Sequence, residues 1–520
     1  MPKARPLASV ALSMVCATGL AFAASAPAAT VQSADPGVTP FISFVTLNGV
    51  NAQRFTQATF SVRPMDGSTT TPVSASYTRR YLLGRGYLDS VAGTVRVPVF
   101  GLYAGYANTV TVTYSERGQA RQTFTVPITT AASNASSEYN APTVITPRDN
   151  AVQLAFSYFM VRNWGNGPSP VIMDTDGRVR WVGMSGVESP SYRLFLNGIY
   201  TGAFGSPIAR QELDGTWRWL ADYSSIGVTS TGHHSFDLGR RGILAEVDRT
   251  TDVESAIIEI DGAGKVLDTF DMNQIFADEM IAHGDNPYAD PNGTTYESVY
   301  GFVRPRGAPG DDWFHNNSAT YWRAQNTLVL SSRENFVVGI DYSTKKIKWI
   351  LGDTTKAWYT EYPSLRRLAL RLVGATNPPA GQHAVSITAT GELMLFDNGT
   401  GSFNHWPGGI SRDSAHPRRY RIDARRMTAT EVWSFDHVAP ISSPICSSIY
   451  ESGSSRLIDY ASASGGPILV GLGSRDRIAF EYQIPGDLGG FGSFWKGWNA
   501  DPTRLSGITY DDPSLAPGPA

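Results

Sequence analysis

Val171-Ile172-Met173-Asp174-Thr175-Asp176-Gly177-Arg178-Val179-Arg180-Trp181 is an apolar run, an acidic and glycine turn, and a second run ending in Trp. The two runs have strand length, and the residues between them favour tight turns, so the stretch predicts a β-hairpin. The pattern recurs along the chain. Arg210-Gln211-Glu212-Leu213-Asp214-Gly215-Thr216-Trp217-Arg218-Trp219 is a second copy, and Ile257-Ile258-Glu259-Ile260-Asp261-Gly262 running on to Val266-Leu267 is a third. Val337-Val338-Gly339-Ile340-Asp341 with Ile347-Lys348-Trp349 is a fourth, and Tyr420-Arg421-Ile422-Asp423 with Glu431-Val432-Trp433 a fifth. Ile468-Leu469-Val470 with Ile478-Ala479-Phe480 is a looser sixth. Six hairpins with one pattern predict an all-β chain built on a six-bladed β-propeller, each hairpin forming the outer half of a blade. Trp181, Trp219, Trp349 and Trp433 are expected in blade packing.

Ahead of the repeats, residues 36–130 hold short alternating runs such as Ala58-Thr59-Phe60-Ser61-Val62 and Thr109-Val110-Thr111-Val112-Thr113, separated by turns at Asp66-Gly67 and Arg117-Gly118. They predict a small N-terminal β-sandwich, Ig-like in its pattern. A Thr, Ala and Ser linker leads to the propeller, expected over residues 138–510. Residues 1–26 begin with Lys3 and Arg5, continue apolar and end in small residues, the layout of a secretory signal peptide. Cys16 would leave with that signal, so Cys446 would stand alone, more a small buried residue than a nucleophile. At 520 residues the chain is long enough for two domains. A net charge of -3 with no basic stripe argues against nucleic acid, and beyond the signal no apolar run is long enough to span a bilayer. Two longer gaps, about 273–310 and 354–380, predict insertions that could roof a site. Ser364-Leu365-Arg366-Arg367-Leu368-Ala369-Leu370-Arg371 within the second predicts a helix.

Only 8 His occur, and three fall at comparable places. His234, in Gly232-His233-His234-Ser235, and His383, in Gly381-Gln382-His383, each precede a strand, a turn glycine and a partner strand. His315, in Asp312-Trp313-Phe314-His315-Asn316-Asn317-Ser318, does the same, with Asn317 expected on its face and Arg333 at the end of the partner strand. In a propeller such positions face a common centre. Imidazoles, an amide and a guanidinium suit a sulfate- or phosphate-like group. His233 is expected to point away, and His283, His405, His416 and His437 to be surface or loop residues. A three-His metal centre is the chemical competitor. No carboxylate recurs at a fixed place beside the three His, and the reading carries no metal and no cofactor. No phosphate-binding glycine loop, formylglycine segment or Gly-x-Ser-x-Gly elbow is present.

Asp312-Trp313-Phe314-His315-Asn316-Asn317-Ser318, Leu330-Ser331-Ser332-Arg333, Ile347-Lys348-Trp349-Ile350-Leu351-Gly352, Gln382-His383 and Leu395-Phe396-Asp397-Asn398-Gly399 together resemble the bacterial arylsulfate sulfotransferases in order and spacing. The resemblance implies an exported six-bladed propeller enzyme of the periplasm. It would move a sulfuryl group from a phenolic sulfate ester to an acceptor phenol, without a nucleotide donor, by ping-pong kinetics through a sulfohistidine. It implies His383 as nucleophile, with His315, His234, Arg333 and Asn317 as its partners. The expected partners are a small aryl sulfate donor and a phenolic acceptor, with no nucleic acid and no membrane, and a homodimer left open. Two departures stand out: residues 354–380 lack the Cys of some members, and Ser411-Arg412-Asp413-Ser414-Ala415-His416-Pro417 replaces a stretch with tyrosine and arginine. The alternative is a secreted propeller that binds an anionic ligand or partner without turnover.

Overall fold

The computed structural model describes Met1 and residues 29–133, 139, 141–161, 168–187, 191–203, 205–289, 302–303, 311–374, 377–485 and 500–516. The expected signal segment, apart from Met1, and most of residues 290–310 lie outside these. Among the described residues no helix is long and apolar enough to cross a membrane.

The N-terminal unit packs two sheets face to face. One runs in the order Thr30–Pro36, Ile42–Asn48, Thr94–Phe100, Leu88–Asp89; the other contains Val73–Thr78, Phe55–Val62, Ala107–Glu116 and Gln122–Thr129. The alternation in Phe55–Val62 turns Phe55, Ala58, Phe60 and Val62 inward, as period-two strands with one solvated face require. A strand from the far end of the chain, Ile508–Tyr510, adds parallel to Val73–Thr78. Its Tyr510 ring stacks on Tyr77 at 5.1 Å.

Beyond residue 142 the described residues form six successive, mainly antiparallel groups of strands, called sheets below, of which the second and third belong to one continuous eight-stranded sheet. The first holds Tyr158–Val161, Val171–Asp174 and Val179–Val182; the second Tyr192–Phe195, Gly198–Ala203, Gly205–Glu212 and Trp217–Asp222. The third holds Val228–Leu238, Ile243–Arg249, Asp252–Ile260 and Val266–Asp271; the fourth Asn316–Trp322, Thr327–Ser332, Phe336–Asp341 and Ile347–Gly352. The fifth holds His383–Ile387, Leu393–Asp397, His416–Asp423 and Thr428–Ser434; the sixth Ser448–Ser452, Ser455–Tyr460, Ile468–Leu472 and Ile478–Gln483. The second and third touch edge to edge through Ala203 and Thr231. All six hairpins expected from sequence are present as antiparallel pairs, each the last two main strands of its sheet. The two ends of this region are stitched to its opposite sides. Thr143–Thr146 pairs with Ile478–Gln483, and Ala500–Thr503 pairs with Tyr158–Val161. The innermost strands of the third, fourth, fifth and sixth sheets neighbour one another in that order, and the sixth then meets Ala500–Thr503. Arg193 of the second sheet bridges Asp237 of the third at 3.5 Å and Asp501 at 3.7 Å.

One buried ion pair and one buried arginine–carbonyl hydrogen bond tie the sandwich to these sheets. Arg85 meets Asp214 at 2.8 Å, with Tyr87 donating to the same carboxylate at 3.0 Å. Arg180 meets Asp174 at 3.1 Å and donates to the Gly101 carbonyl. The apolar core is continuous across the same junction, from Phe44 and Leu47 to Trp181 and Leu213. Arg85→Ala would leave Asp214 a buried, uncompensated carboxylate, so a loss of about 3–5 kcal/mol is expected in denaturant unfolding.

Two local expectations need correction and a third needs refinement. Trp181, Trp219 and Trp349 all lie on edge strands; Trp181 and Trp349 are fully buried in apolar clusters, whereas Trp219 is half-exposed on Trp217–Asp222, a strand with no buried residue. The helix expected over 364–371 is a single turn, Pro363–Arg366. The chain then runs extended, because Leu370 N–H donates to Ile350 O and Ile350 N–H to Leu368 O, each at 2.8 Å. His405, expected as a surface or loop residue, does lie in a loop, but it is buried there with Nδ1 against Asn335 Oδ1 at 2.8 Å. The described part of the first insertion packs against residues 313–314: Phe276 of the helix Met272–Ala282 lies against Trp313 and Phe314, and Asn273 accepts the Trp313 indole N–H at 2.6 Å.

Candidate active site

The three His-bearing segments each break the ladder of an innermost strand, the first within its strand and the other two at the start. In the third sheet Thr231 pairs with Val247 and Phe236 with Ala245, so residues 232–235 bulge opposite Glu246 alone. The Glu246 carboxylate accepts the freed amides of His234 and Ser235, at 3.2 and 2.9 Å. In the fourth, Asn316 pairs with Ser332 and Ser318 with Ser331, which leaves Asn317 as the extra residue. In the fifth, His383 pairs with Phe396 and Ser386 with Met394, so Ala384 and Val385 face Leu395 alone. A bulge re-aims side chains that a regular strand would alternate. Left-handed backbone accompanies it: Gly232 has φ 72°, His315 48°, Gly381 59°, Ala384 53° and Cys446 58°. His383 does open its strand as expected, whereas His234 lies inside a long strand and His315 one residue ahead of one.

These bulges bring the imidazoles together. His234 Nε2 lies 3.0 Å from His315 Nε2, and the His234 and His383 ring centres are 5.9 Å apart. His383 is buried. Its Nδ1 faces two acceptors, Gly381 O at 2.9 Å and Asn398 Oδ1 at 2.8 Å, so Nδ1 carries the proton. Asn398 is oriented by its own amide, which donates to Ser443 O and Cys446 O at 2.6 and 2.9 Å. The lone pair is therefore on Nε2, which accepts the Cys446 N–H at 3.2 Å. Burial pushes the His383 imidazole down to about 3, and the nearby Arg333 guanidinium pushes the same way.

Asn317 and Gln382 join the fourth and fifth sheets. The Asn317 amide donates to Gln382 O at 2.7 Å, and the Gln382 amide donates to Ser332 O at 2.8 Å. Asn317 thus fixes the backbone immediately before His383.

Arg333 is buried. Its Nη1 pairs with Glu334, while its Nη2 has no hydrogen-bond partner among the described residues. A buried guanidinium nitrogen without a partner suits an anionic oxygen. Glu334 also accepts the Ser402 hydroxyl and the Phe403 and Asn404 amides. Burial opposes its charge, but Arg333, His315 and these bonds together hold Glu334 down to about 2. The anchored loop sets the Phe403 ring 3.8 Å from the Arg333 guanidinium, with Phe403 70% exposed.

Two carboxylates that the sequence does not single out lie on His315. Its Nδ1 is 2.5 Å from Asp312 Oδ2 and 2.8 Å from Glu254 Oε2. Glu254 comes from the third sheet and has no sequence spacing in common with the His segments. His234, Glu254 and His315 place their ligand atoms within 4.8 Å of one another. Glu254 faces Nδ1 of His315, however, and His234 faces Nε2. One ion cannot take both nitrogens of one ring, so this arrangement suits proton exchange better than a metal centre.

Volume and chemistry part company here. A cavity of about 600 Å³ opens at the other ends of the innermost strands, lined by Arg193, Asp237, Thr320, Ser386 and Tyr450, and none of the five site residues lines it.

The arylsulfotransferase (ASST) family model matches residues 142–469, and the arylsulfotransferase Ig-like domain model matches residues 43–131. The chain is 25% identical to the arylsulfate sulfotransferase AssT of Escherichia coli O6:H1, over 70% of this chain and 75% of that one. It is 24% identical to the arylsulfate sulfotransferase AssT of Lelliottia amnigena, over the same shares.

Proposed function

The chain belongs to the arylsulfotransferase family, and from that premise we propose that it moves a sulfuryl group from a phenolic sulfate ester to an acceptor phenol through a sulfated His383. The observation that carries this reading is the convergence of three imidazoles beside the unpartnered Nη2 of buried Arg333.

In the first half-reaction the Nε2 lone pair of His383 attacks sulfur, and the bond from sulfur to the aryl oxygen breaks. The electron pair leaves on the phenolate oxygen, which takes a proton from the His234–His315 pair. Arg333 Nη2 bears on the non-bridging oxygens, where donors aimed in advance count most. The Cys446 N–H, which holds Nε2 at rest, passes to a sulfuryl oxygen. Asn317 keeps the backbone before His383 in place. In the second half-reaction the acceptor phenol attacks sulfur, returns its proton to the same pair, and the bond from nitrogen to sulfur breaks. The exposed Phe403 ring offers the aryl group a face beside Arg333.

On this reading the six sheets are blades of a propeller over residues 138–510, preceded by the sandwich of 36–130. The pairing of both ends of the region to opposite sides supports that closure. Residues 1–26 would direct export to the periplasm. The experiment that tests the function is mass spectrometry of the protein after 4-nitrophenyl sulfate alone, with a sulfate adduct expected on the His383 peptide. Nitrophenol release should then depend on added phenol.

The nucleophile should also tolerate acid. An ordinary imidazole, with pKa about 6.5, would be only about 3% neutral at pH 5. His383, held down to about 3, stays neutral there. Labelling by 4-nitrophenyl sulfate at pH 5 is therefore expected to match that at pH 7, and a tenfold fall, on the order an ordinary imidazole would give, would refute this. Stability runs the other way. The unfolded imidazole takes up its proton near 6.5 and the folded one only near 3, so His383 costs the fold stability as pH falls between those values.

A further inference from the structure

We propose that Glu254 and Asp312 are positioning carboxylates of the acid–base pair: they hold a proton on Nδ1 of His315, so that the contact between His234 and His315 carries the one proton exchanged with the phenol. This rests on the sulfuryl-transfer reading and assigns to it two residues outside the His, Asn and Arg set.

The contact itself fixes the count. Two Nε2 atoms 3.0 Å apart can share one proton; two would clash and none would set lone pairs against each other. The ring that can hold both of its protons is the one with negative charge behind it. His315 Nδ1 donates to Asp312 Oδ2 at 2.5 Å, and Glu254 Oε2 stands 2.8 Å from the same nitrogen. Glu254 is also 3.5 Å from His234 Nε2, so it faces both rings. Among the described residues, Glu334 and His383 also act on His315, and Glu334 and Arg333 on Asp312, while the Glu246 and Asp248 carboxylates accept the His234 and Glu254 amides.

Backbone strain points to the same two residues. Glu254 has φ 45° and His315 φ 48°, left-handed conformations that side-chain-bearing residues rarely adopt. They come from different sheets, yet each presents its side chain to the other. Such strain persists where the surroundings impose it, and it gathers at functional sites. Asp312 is set in turn by Asn404, whose amide donates to its Oδ2 at 3.2 Å and its carbonyl at 3.0 Å.

The proton bookkeeping follows. When the bond from sulfur to the aryl oxygen breaks, the phenolate takes the shared proton and His315 keeps only the one on Nδ1. When an acceptor phenol attacks, its proton returns to the pair. A donor with a basic leaving group needs that proton most, and 4-nitrophenolate least.

The test is single-turnover sulfation of the protein with phenyl sulfate and with 4-nitrophenyl sulfate, in the unaltered chain and in Glu254→Gln, Asp312→Asn and Glu254→Asp. The Gln and Asn variants are expected to slow phenyl sulfate by about 100-fold or more, the usual scale of general acid catalysis, and 4-nitrophenyl sulfate far less. Glu254→Asp, which keeps the charge, should recover much of the loss. Equal slowing of both donors, or no slowing, would overturn the proposal, because a merely structural role does not sense the leaving group. If the unaltered chain formed no adduct with 4-nitrophenyl sulfate, the transfer reading would fall first. If it formed one and the variants behaved alike, only the role of the carboxylates would fall.

Discussion

His383→Ala is expected to abolish the sulfate adduct and to cut aryl transfer by about 10⁴-fold or more, the scale seen when a nucleophile that works with its neighbours is removed. Neither His234 nor His315 can take over from the same place. His234 and His315 face each other through Nε2, and His315 has carboxylates on its other nitrogen. The fold should survive the change. His383 gives up one donor to Gly381 O and Asn398 Oδ1, and Asn398 keeps its own bonds to Ser443 and Cys446. That is a cost of about 1–3 kcal/mol for a buried acceptor left without its donor. Adduct formation by mass spectrometry, beside an unchanged circular dichroism spectrum, checks it. A variant at 383 that still carried sulfate would place the nucleophile elsewhere.

Arg333→Ala is expected to lower kcat about 10²- to 10³-fold, since a preorganised donor to developing charge is removed from a buried site. Arg333→Lys should fall between. An ammonium can remain beside Glu334, but it cannot also present a second planar donor to the sulfuryl oxygens. The alanine change also leaves Glu334 without its cation, although Ser402 and two loop amides still bond to it. Loosening of residues 402–404 should therefore accompany it, and KM for aryl donors should rise because Phe403 is set by that loop. Separate kcat and KM measurements for the two variants distinguish lost charge stabilisation from a displaced loop.

The hairpins were legible because each needs only two apolar runs and a turn, all within a dozen or so residues. Val171 to Trp181 and its five counterparts contain that whole unit. The site was legible in part for a similar reason: His234, His315 and His383 announce themselves by place within a repeated unit. What alternation cannot show is a surplus residue, one in the fourth and fifth sheets and three in the third, though Gly232 and Gly381 are the kind of residue a bulge or left-handed turn admits. The groups that make His383 a nucleophile come from long range. Asn398 was visible as part of a motif but had no evident task, and the Cys446 amide has no side-chain signature at all. Glu254 and Asp312 meet only on His315, one from the preceding sheet and one three residues away. The 364–371 segment alternates leucine and arginine as a helix face would, but the open edge at Ile350 offered its backbone better partners. Trp219 shows the same limit from outside: its pattern matches Trp181 and both lie on edge strands, but only Trp181 is covered by the core shared with the sandwich.

The ladder breaks in three innermost strands divide the labour of this chain. The outer hairpins never register the surplus residues, so shortening one of those segments by a single position would leave the sheets intact while turning an imidazole aside. A protein built this way can go silent without unfolding, and calorimetry would pass it as healthy while every assay failed.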